Sequence, residues 1–71
     1  MSFSDWLSRK MESQNIRSAG RAARESGIEP DRFADWVLGR GTAPSETECQ
    51  VLATYFKCEV KEIHDAMLGR T

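Results

Sequence analysis

The side chains of this sequence that could do chemistry are mostly cations, and they are unevenly placed. Between positions 9 and 24 stand Arg9, Lys10, Arg17, Arg21 and Arg24 against Glu12 alone, whereas residues 41 to 71 hold three basic and five acidic residues. Clustered lysine and arginine attract phosphate oxygens. Ser18, set between Arg17 and Arg21, can cap a helix, and the free N–H groups at a helix start can take an anion's oxygen directly. Arg17, Ser18 and Arg21 are therefore candidate phosphate contacts, with Arg40 a further one and Lys10 a weaker one. Arg32 lies among carboxylates, beside Asp31 and three residues before Asp35. A guanidinium can pair with guanine O6 and N7, and a carboxylate can accept a hydrogen bond from cytosine N4. The plainer reading makes Asp31 and Asp35 favourable charges near a helix start, with Arg32 paired to Asp35 at i, i+3.

Other chemistries lack their partners. There are no paired carboxylates in a pocket-forming context, no phosphate-cradling glycine loop and no nucleophile with a base nearby in sequence, so the chain is expected not to be an enzyme and to need no cofactor. Cys49 and Cys58 have neither CxxC spacing nor a companion histidine pair, and both are expected to be small buried hydrophobes. His64 has no acidic or thiol partner at ligand spacing and is expected on a helix face rather than on a metal.

Seventy-one residues allow one small domain with a single modest core. Charged residues make up 30% and apolar ones 39%, the balance of a soluble globule. No apolar run approaches the roughly 18 residues of a membrane span, and charges occupy the N-terminus where a signal peptide has its apolar core, so a cytoplasmic protein with no membrane partner and no small-molecule substrate is expected. The net charge of −1 argues against indiscriminate nucleic-acid binding, which shows as a basic domain.

Helical periodicity positions these groups. Phe3, Trp6, Leu7 and Met11 give a first helix one apolar face, with Ser2 or Ser4 as its cap, Asp5 in its first turn and its end near Gln14. Ile16 plugs the core, and Ser18 caps a second helix over residues 19 to 26. Ala22, Ala23 and Ser26 are small, so another helix can cross there at close range. Gly27 supplies a left-handed end, and Pro30 suits the first turn of a third helix, residues 30 to 38, whose Phe33, Trp36 and Val37 form a core stripe rather than a base-stacking one. After a loop over residues 40 to 43, Ser45-Glu46-Thr47-Glu48 has the form of a capping box. Cys49, Leu52, Ala53 and Phe56 then mark a fourth helix over residues 46 to 56. Val60, Ile63, His64 and Met67 mark a fifth, started poorly by Glu59 and closed by Gly69.

The stretch from residue 19 to 38 resembles the helix-turn-helix of the lambda-repressor-like (Cro/cI, XRE-type) DNA-binding family. Ala22, Ala23, Gly27, Ile28, Phe33 and Trp36 fill that family's core and turn positions in order. Gly39-Arg40-Gly41, Pro44-Ser45, Leu52-Ala53, Phe56, Cys58, Val60 and Glu62-Ile63 continue the likeness, so it covers nearly the whole chain. It implies an all-α, compact five-helix domain over residues 1 to 71, and a transcriptional regulator of phage, prophage or bacterial type. Such a regulator or repressor puts its third helix in the major groove of double-stranded DNA. The likeness places base reading on Pro30, Asp31, Arg32 and Asp35. It also implies a homodimer on DNA, formed through the exposed side of the fifth helix or the C-terminal tail, where Met67 and Leu68 are apolar.

The chain departs from the family at informative points. Acidic residues and a proline stand where donors are usual, Ala19 replaces the glutamine that commonly follows the cap, the loop after the third helix is one residue longer, and Lys57 stands where a helix-ending glycine is common. Asp31, Asp35, Ala19 and the net charge of −1 favour an alternative in which the same fold binds another regulator protein rather than DNA.

Overall fold

Serine caps start three of the helices. The computed structural model describes residues 2–69, and its helices are α1 Phe3–Ser13, α2 Ala19–Ser26, α3 Pro30–Leu38, α4 Glu46–Phe56 and α5 Val60–Met67. The expected all-α architecture of five helices is the one observed, at nearly the expected boundaries. Ser2, Ser18 and Ser45 each accept a hydrogen bond from the backbone N–H three residues on, at 3.1, 3.1 and 3.2 Å. Of the two cap candidates for α1, Ser2 takes the role. Ser4 instead donates its hydroxyl to the Val37 carbonyl at 2.7 Å, fixing the start of α1 to the end of α3. α3 and α5 begin without a side-chain cap, α3 with Pro30 in its first turn.

Small residues line the seam between α2 and α3. Ala22 and Ala23 are fully buried where α2 packs on α3, and Phe33 is fully buried on the other side of that seam. α1 packs across α3, with Phe3 meeting the edge of Trp36 at 6.1 Å between ring centroids, and α4 packs on α5. The core fills with Leu7, Leu52, Phe56 and Ile63, and burying each such side chain stabilises the fold by roughly 1.5–3 kcal/mol.

A polar tie closes the first helix onto the last. The Trp6 indole N–H donates to Glu62 at 2.9 Å and Lys10 pairs with the same oxygen at 2.8 Å. Lys10, and then the indole, hold the Glu62 carboxyl below the usual carboxylate range.

Some packing expectations need correction. Val37 and Met67 are half-buried and pack against the core as their stripes imply, while Ala66, outside the expected stripe, is fully buried. Cys49 is buried, but Cys58 is only half-buried; burial pushes both thiols up from their ordinary acidity. His64 stands half-buried on the α5 face and meets Glu46 of α4 at 3.2 Å, a contact eighteen positions away that local spacing does not show.

Candidate nucleic-acid interface

Gly27 brings α2 and α3 together at the candidate site. Its φ of 83° is the left-handed conformation that suits glycine, and both its N–H and that of Ile28 donate to the Ala23 carbonyl, at 2.9 and 3.1 Å. Ile28 is buried, which draws the chain back onto the core and starts α3 beside α2. The result is one shallow groove lined by Ser18, Arg21, Arg24 and residues 27–30. Ser18 and Arg21, both expected to touch phosphate, are thus brought together, and Arg24 joins them. Arg17 stands exposed just ahead of the cap, on the side of the groove between α1 and the end of α3. Neither Arg17 nor Arg24 forms an ion pair among the described residues.

Arg21 is different. Its Nε donates to Glu25 at 3.2 Å, and the other oxygen of that carboxylate accepts from the Tyr55 hydroxyl at 2.6 Å. The Tyr55 hydrogen bond, followed by that of Arg21, holds the Glu25 carboxyl below its ordinary value. Burial, then Glu25, pushes the tyrosine up to about 12, so its hydroxyl stays a donor at neutral pH.

On α3 two of the charged residues, Arg32 and Asp35, turn to neighbours within the protein. The Arg32 guanidinium grips Glu48 through Nε at 2.7 Å and Nη2 at 2.6 Å, donates through Nη1 to Thr42 at 2.8 Å, and lies 5.2 Å from the Trp36 ring centroid. Every nitrogen of the group is engaged. The expected Arg32–Asp35 pair is not the one formed: Asp35 pairs instead with Arg40, at 3.1 Å. The Arg40 backbone N–H also donates to the Asp35 carbonyl at 2.9 Å, and Gly41, at φ 82°, lets the loop pass so close that a Cβ there would lie 3.1 Å from the Asp35 carboxylate. Asp31 and Pro30 are exposed, and Asp31 forms no ion pair among the described residues.

The structure thus divides the sequence-derived candidates. Ser18, Arg21 and Pro30 share the α2–α3 groove, Arg17 lies on the neighbouring groove between α1 and the end of α3, Asp31 is exposed in the first turn of α3, and Arg40 stands exposed at the far end of that helix. Lys10 is drawn into the α1–α5 seam by Glu62 and lies 5.8 Å from the Trp6 ring centroid. Sequence reasoning missed the anions. The Arg21–Glu25 pair has the i, i+4 spacing that could have revealed it. Glu48, sixteen residues from Arg32, has no such local signal.

Among the described residues no group of three or more His, Cys, Asp or Glu is placed to hold a metal ion. Among them, too, no helix is long and apolar enough to cross a membrane. No protein-family model, curated protein or solved structure matches the chain.

Proposed function

We propose that the protein binds double-stranded DNA as a small cytoplasmic transcriptional regulator of the lambda-repressor-like helix-turn-helix kind, without catalysis or a cofactor. The observation that supports this best is the edge at the start of α2. There a serine-capped helix terminus is flanked in sequence by Arg17 and Arg21, and Arg24, in the last turn of α2, lines the same groove as Ser18, Arg21 and the first turn of α3. Cations and free backbone N–H groups at one edge are what phosphate positioning needs. α3 then offers the major groove Asp31, which can accept from cytosine N4, and Ala34, whose methyl suits a thymine methyl. Arg32 contributes indirectly by fixing the loop over residues 42–45, and Asp35 by holding Arg40.

The test is an NMR titration of the labelled protein with a mixed-sequence duplex at low and moderate salt. Shifts confined to residues 17–24, 31 and 40 that fade as salt rises support the reading, because counterion release makes phosphate contacts salt-dependent. Silence of those residues with the duplex in excess overturns it. The second reading, docking of another regulator protein on α3, is favoured by a specific feature: with Arg32 turned to Glu48, the outer surface of α3 is left acidic at Asp31 and apolar at Leu38, which is 64% exposed.

A further inference from the structure

We infer that Glu25 is an internal competitor for Arg21, a carboxylate that occupies a phosphate-seeking guanidinium and thereby limits the protein's sequence-independent affinity for DNA. The inference rests on the DNA-binding reading above and deepens it by naming a residue that regulates the same edge.

The geometry carries it. Arg21 lines the α2–α3 groove with Ser18 and Arg24, so its side chain belongs to the edge proposed to meet phosphate. Glu25, one helical turn on, sits on the same side of α2 and takes the Arg21 Nε–H at 3.2 Å. An exposed i, i+4 pair by itself is weak and mobile. Here the carboxylate is fixed from a second direction, because Tyr55 of α4 donates to its other oxygen at 2.6 Å while the tyrosine ring packs on Phe56 at 4.9 Å between centroids. Glu25 therefore cannot swing away from Arg21 without also losing a short hydrogen bond. A DNA phosphate approaching this edge meets a guanidinium that already gives its Nε–H to a carboxylate, and an anion held beside it. Arg17 and Arg24 form no ion pair among the described residues, so no carboxylate is bound to either guanidinium when phosphate arrives, although Glu29 lines the same groove as Arg24.

The variants are E25Q, R21A and the double variant, with fluorescence anisotropy against a labelled mixed-sequence duplex across a range of salt, and circular dichroism to show that the helices persist. E25Q should bind more tightly than the parent, and its plot of log K against log salt should steepen by about 0.9, the increment of one added phosphate contact. The gain at about 50 mM salt should then exceed that at about 200 mM by roughly threefold. In the R21A background the same substitution should give little of that gain. Unchanged or weaker binding by E25Q overturns the inference, the weaker result making Glu25 a residue that positions Arg21 instead. A gain of equal size in the R21A background also overturns it, because general charge removal then suffices. If neither the parent nor E25Q binds the duplex at low salt, the DNA-binding reading itself fails and the inference falls with it.

Discussion

Arg32 shows how far a residue's chemistry depends on what the fold places beside it. In sequence it stands as the guanidinium best suited to a base edge. In the structure its grip on Glu48 draws that carboxyl down to about 2, with the Arg32 hydrogen bonds the largest cause and the Ser45 backbone N–H adding to them. The paired anion is charged in the fold at pH values where the unfolded chain, near 4.5, has begun to protonate. The pair's contribution is therefore complete above about pH 4.5 and is lost as pH falls toward 2. Glu48→Gln isolates this pair, since the amide oxygen can still accept from the Ser45 N–H and keep the capping box. At pH 7 the variant should be less stable by about 1.5 kcal/mol, the scale of a hydrogen bond to a charged group, which lowers Tm by roughly 6–12 °C in a domain of this size. Thermal melts of both proteins should converge as pH approaches 2. A gap that persists there would mean that Glu48 stabilises by packing rather than by charge.

At the scale of elements, local rules account for nearly everything about the helices and little about how they choose partners. The Ser45–Glu48 capping box forms with both of its hydrogen bonds, and Ser45→Ala should cost about 1 kcal/mol, read from the urea midpoint. Lys57 ends α4 at φ 56°, ψ 48°, a left-handed conformation in which its side chain is strained. Lys57→Gly should therefore move the midpoint the other way by about 1 kcal/mol. Both features are legible because caps and stripes are set by residues within a turn or two of each other. Phe33 and Trp36, at i and i+3, announced the core face of α3 for the same reason. Ala66 escaped because a small residue adds little to a hydrophobic stripe, although it is fully buried in the fold. The ties between Arg32 and Glu48 and between Trp6 and Glu62 join elements whose relative placement no local spacing fixes, the second across 56 positions. The candidate site was accordingly half legible. Its positive edge at Arg17, Ser18 and Arg21 could be read from the chain, but the carboxylates that silence some cations and spare others could not.

For the whole molecule, charge pairing matters more than net charge. The protein measures 27 × 24 × 22 Å along its principal axes, less than the ~34 Å of one DNA helical turn, so under the proposed function one copy would contact a half-site and tight specific binding would use two. The net charge of −1 leaves no general attraction to phosphate. Lys10, Arg21, Arg32 and Arg40 each face a carboxylate within 3.2 Å, whereas Arg17 and Arg24 have none among the described residues. These two arginines should then supply most of the salt-dependent binding that the proposed function requires. Replacing both by alanine should flatten the log K against log salt plot by about 1.8, at about 0.9 per lost phosphate contact, and remove most affinity for a mixed-sequence duplex. Arg32→Ala should do the reverse, leaving the slope as it was while lowering Tm, because its guanidinium serves the α3–α4 junction. If Arg32→Ala instead flattens the slope and spares Tm, the guanidinium must leave Glu48 when DNA arrives. The carboxylate would then act as a holding site for a base-reading residue, and the acidic look of α3 in the free protein would describe only its resting state.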